Sequence, residues 1–122
     1  MIGYVTLGTN DLPRATAFYD ALLAELGAKR LWENERGIIW GRSWKLPSVG
    51  VMKPYDGKPA TVGNGVMVAL VADTRETVDR VYAKALALGA TDEGPAGPRG
   101  EGFYAGYFRD PDGNKLNVFF MG

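Results

Sequence analysis

Neither cysteine nor histidine occurs anywhere in the 122 residues. Without cysteine there is no disulfide, no thiol nucleophile and no thiolate metal site. Without histidine there is no imidazole to act as a base near neutral pH or to ligate a metal, which excludes a Ser-His triad and any histidine-bound zinc or iron centre. Proton transfer is left to Asp, Glu, Tyr or Lys. No charge sign predominates either: fourteen Lys plus Arg balance fourteen Asp plus Glu, with no block of like charge. A nucleic-acid backbone needs a concentrated positive face, so no nucleic-acid partner is expected. No apolar run approaches a membrane-spanning length, and the start "MIGYVTLGTNDL" has neither the basic opening nor the long apolar stretch of a secretory leader. The expectation is a cytoplasmic protein with no membrane partner.

What is present is ordinary in amount and informative in order. Apolar residues make up 46% and charged residues 23%, the balance of a soluble domain, and the length suffices for one core. Ile2 to Thr9 alternates like a strand; Asn10 or Asp11 is placed to cap a helix with Pro13 in its first turn. Ala15, Phe18, Leu22 and Leu26 give that helix one apolar face, and Gly27 supplies a stop. The stretches "AKRLWENE", "RGIIWGRSW" and "PSVGVMKP" follow as three short strands. A Gly/Pro-rich segment at about 56–65 reads as a linker between a first module, about 1–55, and a second, about 66–122.

Beyond the linker the order begins again. "VMVALVA" is a strand, and Asp73 with Glu76 three residues on resembles a capping box. Val78, Val81, Tyr82 and Ala85 form an apolar helix face, Gly89 ends it, and three extended pieces close the chain. "YVTL" from Tyr4 sits over "MVAL" from Met67, and "AELGA" over "LALGA". Two βαβββ units make an α+β fold: one curved sheet of about eight strands, helices on the outer face and a cup on the inner one. If Val5 and Leu7 pack under the first helix, Tyr4 and Thr6 face the cup. By the same alternation Met67 and Ala69 face it, as do Lys115, Asn117 and Phe119 in the last strand.

The paired modules, the opening "IGYVTLGTNDLPRATAFYDALLAELG", the central "GNGVMVALVADTRETVDRVYAKALALGATDEG" and above all the closing "YFRDPDGNKLNVFF" resemble the vicinal oxygen chelate superfamily. That superfamily contains glyoxalase I, extradiol dioxygenases and the fosfomycin and bleomycin resistance proteins. The resemblance covers essentially the whole chain as a single domain. It implies a cup that in metal-dependent members holds a divalent ion through two His and two Glu, and it implies homodimers. Carried onto this sequence, the two His positions are Tyr4 and Met67 and the last Glu position is Asn117. The position on the last strand of the first module stays open, though "PSVGVMKP" holds no acid.

A phenol, a thioether and a carboxamide do not suit a hard divalent ion, so no metal and no cofactor is expected. The expected function is binding of a small organic molecule, with Tyr4, Thr6, Trp40, Arg42, Met67, Tyr104, Tyr107 and Asn117 as candidate contacts. In "WGRSW", Trp40 and Trp44 share one face and Arg42 takes the other; aromatic walls with one cation suit a planar or anionic ligand. Packing in a core or a dimer contact is the competing role for these aromatics. Two enzymatic alternatives stand beside the binding protein: a glyoxalase- or dioxygenase-type enzyme with an atypical metal site, and a metal-independent lyase or isomerase using Tyr4, Tyr104 or Glu101 as acid or base. Whether the chain catalyses anything, and on what, stays open at this level.

Overall fold

The computed structural model describes residues 1–122. Its elements run β1 (Tyr4–Gly8), α1 (Leu12–Ala24), β2 (Lys29–Glu33), β3 (Gly37–Gly41), β4 (Ser48–Met52), β5 (Val68–Val71), α2 (Arg75–Ala87), β6 (Thr91–Pro98), β7 (Phe103–Arg109) and β8 (Lys115–Met121). The chain forms two compact units, Met1–Val62 and Gly63–Gly122, each a βαβββ module with one four-stranded mixed sheet. The fold class is α+β, as the order of elements implies.

In the first unit the strand order is β1-β4-β3-β2. The helical connection carries the chain from β1 to the far edge, and two antiparallel turns bring β4 back beside β1 in parallel. Asp11 caps α1 by accepting from the Arg14 amide at 3.1 Å, with Pro13 in the first turn where its missing N–H costs nothing. Gly27 leaves the helix with φ +76°, and the Ala28 amide reaches back to the Leu23 carbonyl at 3.0 Å. Ala15, Phe18, Tyr19, Leu22 and Leu23 bury the inner face of α1 against β2, β3 and β4. The segment after β4 folds back on this unit: Asn10 accepts from the Ala60 amide at 2.7 Å and donates to its carbonyl at 3.1 Å.

The second unit repeats the order as β5-β8-β7-β6. Its helix is capped by Thr74, whose hydroxyl accepts from the Thr77 amide at 3.1 Å, one residue later than the Asp73 expected from the sequence. The exit matches that of α1: Gly89 has φ +102° and the Ala90 amide reaches the Ala85 carbonyl at 2.9 Å. Val78, Val81 and Ala85 are buried against a sheet whose helix side carries Leu70, Phe108, Leu116 and Val118. Each of these Val, Leu and Phe side chains contributes about 1.5–3 kcal/mol by leaving water.

Candidate functional site

The pairing registers sort every strand residue to one side of its sheet. In the first unit, Leu7 pairs with Val51 and Val51 with Ile38, which puts these three buried residues on the helix side. The opposite face carries Tyr4, Thr6, Gly50, Met52 and Ile39, with Thr6 directly beside Gly50 and Gly50 beside Ile39. Tyr4 is 55% exposed there and Thr6 is exposed.

Trp40 is not on that face. Its side chain is 2% exposed, packs against Tyr19 of α1 with ring centroids 5.6 Å apart, and donates from Nε1 to Asp20 Oδ1 at 2.8 Å. Expected as an aromatic wall for a ligand, it is a core residue, because β3 alternates with Ile38 and Trp40 toward the helix. Asp20 also receives two hydrogen bonds from Arg30, at 3.0 and 2.6 Å, and this guanidinium, aided by the indole N–H, holds its carboxyl below the usual range. Arg42 lies just beyond the end of β3 and donates from Nε to the Leu26 carbonyl at 3.0 Å, satisfying the carboxyl end of the α1 region. The alternation expected through "WGRSW" stops at Gly41, where β3 ends and a turn begins.

In the second unit Val68, Leu70, Leu116, Val118 and Phe108 share the helix side by register. Tyr104 belongs to it as well: its hydroxyl donates to Asp79 of α2 at 2.6 Å. That carboxylate and partial desolvation push the phenol pKa up, the wrong direction for a base near neutrality. Tyr82 of α2 makes the equivalent bond to Asp92 at 2.7 Å, while its ring rests on Gly106, where a Cβ would meet the ring 2.9 Å away. Tyr104 is thus a tie between helix and sheet, and its expected place among the ligand contacts is corrected.

The face opposite α2 holds the rest. Ala69, Asn117, Tyr107 and Gly94 run side by side across β5, β8, β7 and β6, each in register with the next. Lys115 and Phe119 flank Asn117 on β8, and Phe119 stacks on Phe103 with centroids 5.5 Å apart. Met67 lies one residue before β5 and is 42% exposed. The turn feeding β8 is rigidly built: Asp110 Oδ1 accepts from the amides of Asp112 and Asn114 at 3.0 and 2.9 Å, and Asn114 Nδ2 returns a bond to Asp110 Oδ2 at 3.0 Å. The "DPDGN" sequence therefore sets the position of β8, and with it Asn117.

Asn117 itself is 2% exposed, and its Oδ1 has no hydrogen-bond partner. Buried polar atoms are nearly always paired, and leaving one unpaired costs about 1–3 kcal/mol. A carboxamide at this depth is a feature that core packing alone does not explain.

Tyr107 and Lys115 surround this position with a polar and cationic edge that the sequence only partly indicated. Arg99 folds from the β6–β7 turn so that its guanidinium lies 5.6 Å from the Tyr107 ring centroid, while Lys115 Nζ lies 5.8 Å from the same centroid. Arg109 and Lys115 share Glu93, at 3.0 and 3.7 Å. Alternation cannot place Arg99, because it lies in a turn and reaches the face only by folding back over glycines.

The two modules also resolve where the missing ligand position of the first module falls. Thr6 pairs with Gly50 as Ala69 pairs with Asn117, so Gly50 is the counterpart of Asn117. The positions where the resemblance implies metal ligands are thus Tyr4 and Gly50 in one unit and Met67 and Asn117 in the other. No group of three His, Cys, Asp or Glu side chains is placed to hold a metal ion. This donor set does not fit a divalent metal. No helix is long and apolar enough to cross a membrane.

The profile of the Glyoxalase/Bleomycin resistance protein/Dioxygenase superfamily matches residues 1–118. Among solved structures, a glyoxalase/bleomycin resistance protein from Albidiferax ferrireducens T118 is 37% identical, with 98% of this chain and 97% of that one covered and a TM-score of 0.89. A lactoylglutathione lyase from Agrobacterium tumefaciens is 24% identical over 98% of this chain and 92% of its own, with a TM-score of 0.69. A genomically encoded fosfomycin resistance protein from Listeria monocytogenes is 20% identical over 98% of this chain and 91% of its own, with a TM-score of 0.71. The last two likenesses show the fold alone. No match emerges among the curated proteins. With two βαβββ modules, the matching profile and a relative sharing 37% of its residues, the chain belongs to the Glyoxalase/Bleomycin resistance protein/Dioxygenase superfamily.

Proposed function

We propose that this protein binds a small organic molecule on the helix-free face of its second module, with Asn117 as the hydrogen-bond anchor and without a resident divalent metal. The observation that carries the proposal is the buried, unpartnered amide oxygen of Asn117. Such an atom is stabilised when a ligand brings an O–H or N–H donor to it, and the half-buried rings of Tyr107 and Phe119 beside it offer apolar contact. Met67 is a further contact in this reading, supported by its exposure at the start of β5.

Homodimerisation belongs to the same proposal. What supports it is that β1 and β5 are edge strands of their sheets and that Ile2, Tyr4, Val66, Met67 and Val71 beside or on them are exposed.

A thermal-shift screen of small organic compounds tests the binding proposal, followed by mass spectrometry of the recovered compound. The expected result is a hit that stabilises the wild type, is returned unchanged, and loses its effect on Asn117→Leu. A hit whose effect survives that substitution removes Asn117 from the site. Elemental analysis of tag-free protein incubated with manganese, nickel, zinc and iron(II) tests the metal-free part, which one tightly held ion per chain would overturn.

A further inference from the structure

The geometry points to the class of ligand this face takes: a single-ring organic anion with a hydrogen-bond donor at the end away from its charge. The inference rests on the Asn117 reading above and adds to it an anion-holding group, Arg99.

Arg99 is held in an unusual way. Its Nη1 donates to the Pro98 carbonyl at 3.3 Å and its Nη2 to the Pro95 carbonyl, and its guanidinium lies over the Tyr107 ring. Gly94 and Gly97 make the room, since a Cβ at either would come within 3.3 or 3.4 Å of the guanidinium nitrogens. Two backbone carbonyls and a ring orient the group without neutralising it, and no carboxylate pairs with it; Glu101, two residues further along the same turn, makes no ion pair with it. With two of its five N–H donors engaged, the guanidinium retains others for an anion. The neighbouring charges reinforce it: Arg109 and Lys115 share only Glu93, leaving three cations against one carboxylate around Tyr107.

The separation of the two anchors sets the ligand's size. Arg99 packs against Gly94, which pairs with Tyr107, which pairs with Asn117. Two strand spacings separate Gly94 from Asn117, roughly 10 Å between backbones. After the Asn117 side chain and the guanidinium take their share, what remains fits one six-membered ring with a substituent at each end, lying along the Tyr107 ring. The anion meets Arg99, and the donor meets Asn117 Oδ1.

Three probes separate the two anchors on the full chain: 4-hydroxybenzoate carries both groups, 4-hydroxybenzamide only the donor, and benzoate only the anion. Affinities come from titrations followed by amide NMR, read at Asn117 and Tyr107. Hydrogen bonds to charged groups are the strong ones, so 4-hydroxybenzoate is expected to bind about tenfold or more tightly than its amide. Arg99→Gln should abolish that difference, Arg99→Lys should keep part of it, and Asn117→Leu should weaken the acid and the amide alike. Equal binding of acid and amide, unaffected by Arg99→Gln, overturns the anion inference while leaving the Asn117 reading intact. Equal losses from Arg99→Gln and Arg99→Lys overturn it too, since packing and not charge is then the role of Arg99. No response at Asn117 or Tyr107 to any probe up to about 10 mM, beyond the weak end of specific affinity, overturns the ligand class. The wider thermal-shift screen then judges the Asn117 reading by itself.

Discussion

Replacing Asn117 with leucine should make the ligand-free protein more stable while abolishing the proposed ligand binding. Leucine branches at the same carbon as asparagine, so the side chain, 2% exposed in the native strand, keeps nearly the same shape. The substitution removes an acceptor that has no partner, and with it a desolvation cost of about 1–3 kcal/mol. It also buries additional apolar surface beside Phe119. The net expectation is a gain of about 1 kcal/mol or more, which for a chain of this length moves the thermal midpoint up by roughly 3–6 °C. Urea denaturation followed by circular dichroism reads the stability, and amide exchange along β8 shows that the change is local. With ligand present at about a hundred times its Kd the wild type should gain about 2.7 kcal/mol and the variant nothing. A variant less stable than the wild type by 1 kcal/mol or more would refute the reasoning, because the oxygen would then have a native partner to lose.

Trp40→Phe should cost about 1–3 kcal/mol in chemical denaturation, through the lost bond to Asp20 and the space left by the smaller ring, and leave ligand affinity unchanged. Asp20 has a pKa depressed in the folded state, chiefly by Arg30, so its stabilising contribution is present above the ordinary carboxylate pKa of about 4 and fades as pH falls below it. Asp20→Asn should flatten that part of the stability–pH curve, and an unchanged slope would remove the pair as its source. Gly106→Ala should destabilise by about 1–3 kcal/mol, since the new Cβ would sit 2.9 Å from the Tyr82 ring in a packed interface. Tyr104→Phe should lose about 1 kcal/mol or less in denaturation and leave ligand affinity as it was, because its hydroxyl serves Asp79 and not the helix-free face.

Local chemistry made the skeleton of this protein legible in one dimension. Asp11, Gly27 and Gly89 mark helix ends because only certain side chains and φ values satisfy those backbones. Alternation along β1, β5 and β8 separates helix-side residues from the rest because a strand has a period of two. The absence of histidine and cysteine closes off whole classes of chemistry without any coordinates.

The chain in three dimensions decided what alternation cannot carry across a strand end or a turn. Trp40 and Tyr104 sit on their helix sides because Asp20 and Asp79 stand on the helices to receive them, a pairing between residues 20 and 25 positions apart. Arg42 caps a helix region and Arg99 folds over Tyr107 because both leave regular strands, where no period governs direction. The equivalence of Gly50 and Asn117 needed the parallel registers of β1 with β4 and β5 with β8, since hydrogen-bond pairing between distant strands leaves no mark on the spacing within either one. That Asn117 is asparagine is written in the sequence; that its oxygen is buried without a partner is a property of the packing around it.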